Sequence, residues 1–174
     1  MRSNYKYPTA YKSNRFVYFA VVMLIIAVNR SSFATELDVE SIKISKCLEG
    51  ANANLDEKRK CIGVIYNSCI EDASKSTLSG MIECQNIEYR AWDKNLNIVY
   101  NKVIKLSNPD TKIYIKKSEL KWLEYINKNC EWPKYVYPTG TIQAPLVQEC
   151  LRNETAYRTI FLDGVARRLL EAEN

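Results

Sequence analysis

Cys47, Cys61, Cys69, Cys84, Cys130 and Cys150 are the residues whose type and number most firmly commit this chain to a chemistry, and that chemistry is oxidation. An even set of cysteines downstream of an apolar N-terminal run reads as a disulfide framework in an exported protein. Zinc is the competing use, but no close CxxC pair is present to begin a zinc site. The 174 residues include no histidine. That absence removes the commonest general base, the commonest metal ligand and the neutral-pH switch together. Carboxylates are the remaining catalytic candidates, since a pair roughly 5–10 Å apart hydrolyses glycosides. The twenty acids are instead interspersed with bases at helical spacing, as in Glu154 and Arg158, which is the pattern of solvated faces. With no GxSxG motif either, the expectation is a binding protein rather than an enzyme, with no cofactor and no metal.

Binding has a better address. Residues 131–144 carry Trp132, Tyr135 and Tyr137 among the turn formers Pro133, Pro138 and Gly140, with Lys134 beside them. Aromatics on a loop braced at both ends give large contact area at low ordering cost. The bland alternative is a loop whose aromatics fold back onto the core. Trp92, Tyr100 and Trp122 lie on apolar stripes at helical spacing and are expected in the core. Asp93 and Asn97 are one turn apart, and are expected to hydrogen-bond neighbouring helix ends or Arg158 rather than to hold a ligand. Arg158 has two readings: an anchor for a partner carboxylate, or a buried pair to Asp93 or Glu154.

Helices must position these residues. Lys, Glu, Leu, Ile and Asn dominate, with only five glycines and five prolines. Thr77 can cap a long helix over about 80–106, in which Trp92, Leu96, Val99, Val103 and Leu106 form one apolar stripe. Asn108-Pro109-Asp110 ends it with turn chemistry. A second helix is expected over about 114–129, with Ile115, Trp122, Leu123 and Ile126 inward and Trp132-Pro133 as its stop. The Tyr114-Ile115 stretch could instead be extended. A third helix is expected over about 145–173, with Leu146, Cys150, Tyr157, Phe161, Val165 and Leu169 near one face and Gly164 as a weak point. Shorter helices are expected over 36–48 and 56–71, around the turn at 52–54. The fold class is all-α: a small bundle of about four or five helices in hairpins, stapled by disulfides. Six cysteines allow fifteen connectivities. Cys61 and Cys69 on one helix would stand about 12 Å apart, too far to bridge. Three nearest-neighbour bridges are the expectation: Cys47–Cys61, Cys69–Cys84 and Cys130–Cys150.

Residues 1–34 read as a signal peptide. A basic start precedes 13 uncharged apolar residues from Phe16 to Val28, and Ser32-Phe33-Ala34 offers a cleavage site. Thirteen helical residues rise about 20 Å, short of the roughly 30 Å hydrocarbon core, so no stable membrane insertion is expected after cleavage. This segment holds five of the 25 basic residues and none of the 20 acidic ones. Residues 35–174 are therefore balanced at 20 against 20, which argues against nucleic acid as a partner. They amount to one domain of ordinary size.

The spacing of several residues carries a resemblance. Met81-Ile82-Glu83-Cys84, Trp92-Asp93, Leu96-Asn97 and Tyr100, followed by Trp122-Leu123, Tyr125 and Cys130, then Cys150-Leu151, Thr155, Arg158 and Leu162, resemble the lysozyme inhibitor LprI-like family of small exported bacterial domains. The resemblance runs from about Cys61 to Leu162, with Cys61-Ile62-Gly63 and Cys69 as an extension. It implies a periplasmic or secreted helical domain that inhibits lysozyme or a related cell-wall hydrolase, with Trp92, Asp93, Asn97, Tyr100, Trp122 and Thr155 as its structural motif. Around Trp122 the family usually has one Gln, two Arg and an Asp; this chain has Glu119, Leu120, Ile126 and Asn127 there. A polar family surface at those positions would be altered. The alternative is an envelope protein with a structural or assembly role, or an immunity partner of a secreted toxin.

Overall fold

The computed structural model describes residues 38–172, so the expected signal peptide lies outside the described residues. The described chain folds into seven α-helices and one short 3-10 turn, with no strand. In chain order these are α1 (residues 38–50), α2 (Leu55–Arg59), α3 (Val64–Ile70), the 3-10 turn Ala73–Lys75, α4 (Leu78–Leu106), α5 (Pro109–Asn129), α6 (Trp132–Val136) and α7 (Gln143–Ala172). Among the described residues no helix is long and apolar enough to cross a membrane.

Short polar residues set the helix ends. Thr77 accepts the Gly80 N–H at 3.0 Å and starts α4. Gly80 has no substitute there, because a β-carbon would overlap the Lys75 backbone of the preceding turn. Asn108 caps α5 by accepting the Thr111 N–H at 2.8 Å, and Pro109 supplies the first helical residue. Asn108-Pro109 thus opens α5 as well as closing α4, so the helix begins five residues before the expected 114 and Tyr114-Ile115 is helical. The expected helix over 56–71 divides instead into α2 and α3. Gly63 breaks it with φ +97°, a left-handed conformation that glycine adopts without strain. Gly164, by contrast, does not interrupt α7.

Two apolar clusters form the core. One joins Ile44 and Leu48 of α1, Cys61 and Ile65, Ala91 and Trp92 of α4, and Ala156 and Ile160 of α7. The other joins Leu96 and Val103 of α4, Ile115 of α5, and Leu162 and Ala166 of α7. Early residues of α4 meet early residues of α7 and late meet late, so these two long helices run side by side in the same direction, with α5 as the return stroke. The inward face of α7 differs from the expected one. Thr155, Ala156, Thr159, Ile160, Leu162 and Ala166 are buried, whereas Tyr157 and Phe161 are exposed. Small residues let α7 approach α4 closely, which displaces the bulky aromatics to the outside. Leu123 of α5 is also exposed, against expectation.

Disulfides join Cys47–Cys61, Cys69–Cys84 and Cys130–Cys150, leaving no free cysteine among the described residues. The first ties α1 to the turn after α2, the second α3 to α4, and the third the end of α5 to α7. Lys58 of α2 is buried and bonded to Asp163 of α7, which Arg167 also holds at 2.9 Å. Removing Asp163 would strand the Lys58 charge away from water.

Candidate functional site

The Cys130–Cys150 disulfide determines what comes together at one end of the bundle. It fixes the last turn of α5 beside α7 one turn before Glu154, and α6 follows at once. Trp132 and Pro133 do not merely stop α5: they form the first turn of α6, with Pro133 buried as its anchor. Trp132, Tyr135 and Tyr137 do not fold back onto the core. They are 43%, 78% and 42% exposed, and the Trp132 and Tyr137 rings sit 6.4 Å apart in a tilted arrangement. Lys134 lies beside them, 3.7 Å from Glu131. Gln143, at the start of α7, donates to the Tyr137 carbonyl and closes the connection after α6.

Trp132 also walls a hollow of about 380 Å³ against α7, shared with Asn129, Leu146, Glu149, Glu154 and Tyr157. Glu154 is pinned there through one oxygen. Its Oε1 accepts from Asn129 Nδ2 at 3.1 Å and from the Tyr125 hydroxyl at 3.4 Å. Desolvation and the negative Glu154 together push the Tyr125 hydroxyl above its ordinary pKa.

Arg158 is not part of this surface. It pairs with neither Asp93 nor Glu154 but with Glu119 of α5, at 2.8 Å, and donates to Ser118 at 3.0 Å. Its guanidinium stacks over the rings of Trp122 and Phe161, so it works as a clamp between α5 and α7. Glu119 therefore has a structural partner.

The family-motif residues occupy a different place. Trp92 is fully buried, and Thr155 is buried with it; Trp122 and Tyr100 are half-buried on the second cluster. Asp93, Asn97, Tyr100 and Trp122 line a groove of about 420 Å³ between α4 and α5, together with Glu119 and the exposed Leu120. Asn97 neither caps another helix nor reaches Arg158. It donates to the Asp93 carbonyl at 2.8 Å and to the Asp93 carboxylate at 3.3 Å, within α4. Desolvation raises the Asp93 carboxyl above its ordinary value, and burial together with Asp93 raises that of Tyr89. Of the remaining positions near Trp122, Ile126 is buried and Asn127 exposed.

The sequence predicts a loop over 131–144 where the structure forms α6, and sequence reasoning missed Tyr125, Asn129, Glu154 and Tyr157 as its neighbours. The available signal was the pairing of Cys130 with Cys150, which sets residue 129 against the turn that contains Glu154.

These features define a class: a disulfide-stapled helical domain with an exposed aromatic end and, among the described residues, no cluster of metal-ligating side chains. Residues 69–162 match the family described as lysozyme inhibitor LprI, and the chain belongs to that family. The match begins at Cys69 rather than Cys61, so α1, α2 and the Cys47–Cys61 bridge precede it. No curated protein and no solved structure is significantly similar to the chain.

Proposed function

We propose that this protein is an exported, non-catalytic binding domain that inhibits lysozyme or a related cell-wall hydrolase in the bacterial periplasm, and that α6 carries the contact. On this reading residues 1–34 are the export signal and residues 35–174 the working domain. The observation that carries the proposal is the trio Trp132, Tyr135 and Tyr137, exposed on a short helix that Cys130 and the buried Pro133 hold rigid. Large aromatics on a pre-ordered support supply contact area at low ordering cost. Family membership supports the choice of a hydrolase as partner.

A cell-wall lysis assay with several lysozymes tests it, comparing the oxidised protein with a Trp132→Ala/Tyr135→Ala/Tyr137→Ala variant. Inhibition by the parent and its loss in a variant of unchanged helicity is the expected result. Equal inhibition by both would remove α6 from the interface. No inhibition at micromolar protein would contradict the hydrolase reading. One observation favours a second partner class: the balanced charge of residues 35–174 lacks the acidic excess that would steer a basic lysozyme. An envelope assembly partner, or a secreted toxin to which this chain confers immunity, fits that balance and would be recovered by cross-linking in place of a hydrolase.

A further inference from the structure

We propose that the hollow between α5, α6 and α7 is a receptor for one basic side chain, an arginine or lysine of the partner protein, seated between Trp132 and Tyr157 against the free oxygen of Glu154. The inference deepens the proposed function and rests on it for the identity of the partner as a protein.

The pocket is a carboxylate without a cation. Among the described residues no lysine or arginine lines it, while Glu149 and Glu154 both do. Arg158 follows Glu154 by one helical turn and would ordinarily neutralise it, but Arg158 is committed to Glu119 and Ser118 on α5. The nearby Lys128 and Lys134 are both drawn to Glu131. Among the described residues Glu149 has only Arg152, 3.9 Å away, a buried guanidinium bonded to Asn153 and stacked on Tyr66. Glu154 is also pre-set. Asn129 and Tyr125 both donate to Oε1, which fixes the carboxylate and leaves Oε2 as an acceptor with no partner among the described residues.

The walls have the same preference. Trp132 and Tyr157 are 43% and 49% exposed and line the pocket with Glu154, and aromatic faces attract cations through the negative side of the ring quadrupole. A neutral or anionic occupant would displace water from Glu154 without replacing its positive partner, which is unfavourable. A neutral sugar could stack on Trp132, but it would leave Glu154 uncompensated. About 380 Å³ accommodates one long side chain.

The test uses the ¹⁵N-labelled oxidised protein titrated with Nα-acetyl-arginine methylamide, with the citrulline analogue as the uncharged isostere and tri-N-acetylchitotriose as the sugar. Saturable shifts at the Trp132 indole N–H and the Asn129 side-chain amide are expected with the arginine probe. The affinity should fall about tenfold or more for citrulline, and by a similar factor in Glu154→Gln, because a charge-assisted hydrogen bond is replaced by a neutral one. Tyr157→Leu should weaken the arginine probe while leaving Glu154 in place, which provides a second variant. Equal response to arginine and citrulline, tighter binding of chitotriose, or no response at Trp132 would each overturn the proposal. The lysis assay separates the two readings. Inhibition equal in parent and Glu154→Gln would remove the pocket and keep the inhibitor. Arginine-probe binding by a protein that inhibits no hydrolase would keep the pocket and remove the inhibitor.

Discussion

Two tryptophan–glutamate neighbourhoods among the described residues, one in the core and one at the surface, are used in opposite ways. Glu88 on α4 is fully buried beside Trp92. Its Oε1 accepts the Gly63 N–H at 2.6 Å and the Trp92 indole N–H at 3.0 Å, and its Oε2 accepts the Tyr66 N–H at 2.7 Å. The carboxylate thereby caps the start of α3 from a different helix, and two of these three donors exist only because Gly63 turns the chain there. Glu154, near Trp132, spends both of its hydrogen bonds on one oxygen and leaves the other open. A saturated carboxylate between buried donors acts as architecture, since any lost partner is felt as an unpaired buried group. An unsaturated one at a half-open aromatic wall is available for a ligand. The same residue types therefore differ in role through burial and hydrogen-bond saturation alone.

Paired substitutions can break this comparison. The largest difference is expected for tryptophan. Trp92→Ala should cost about 3–5 kcal/mol, because a fully buried ring leaves a cavity among α1, α4 and α7. Trp132→Ala should cost about 1 kcal/mol or less, because its ring is already partly in water. Denaturant titration of the two variants measures both, and equal losses would erase the distinction. Next comes Glu88→Gln, which is expected to cost about 2–3 kcal/mol, since the amide offers one acceptor atom to three donors and directs its own N–H groups at the others. Glu154→Gln should stay within about 0.5 kcal/mol. The Glu88 variant should also raise amide exchange at Gly63 and Tyr66, with no counterpart at α6.

Gly164→Ala sharpens the comparison by acting on neither neighbourhood. A β-carbon there meets nothing within 4 Å, so the substitution should stabilise α7 by roughly 0.5–1 kcal/mol. Thermal unfolding would detect the gain, with binding unchanged. The smallest effect concerns the α4/α5 groove. The folded-state pKa of Asp93 is raised by desolvation above its ordinary 3.8. Its ionised form therefore destabilises the fold above the raised value, and that penalty is relieved as the pH falls through the raised value to below 3.8. Asp93→Asn should thus be slightly more stable than the parent at neutral pH. The difference should vanish in acid, as followed by urea midpoints across the acidic range. A constant difference at all pH values would contradict the assigned cause.

Much of the architecture was legible because it is local. Thr77 is a side-chain cap whose partner lies three residues on, and the α4 stripe from Trp92 to Leu106 repeats at helical spacing. What escaped depends on partners distant in sequence. Tyr157 and Phe161 fall on an apolar stripe of α7 like any core residue. Only the close approach of α4, made possible by Thr155, Ala156 and Thr159, turns that stripe outward. Gly63 was legible as glycine but not as a helix break, because Glu88, which rewards the break, lies 25 residues away. Arg158 illustrates the same limit. Its nearest acid in sequence is Glu154, yet its partner is Glu119, 39 residues upstream, and that exchange is what leaves Glu154 open.

The central claim is that recognition resides at the exposed Trp132 surface while the buried Trp92 neighbourhood only builds the fold. The most direct measurement is a chemical-shift map of the ¹⁵N-labelled protein on addition of a lysozyme that it inhibits. The account predicts perturbations centred on Trp132, Tyr135, Tyr137 and Glu154, with the Trp92 indole unmoved. Perturbations centred on Asn97, Tyr100 and Leu120 in the α4/α5 groove, with α6 silent, would contradict it.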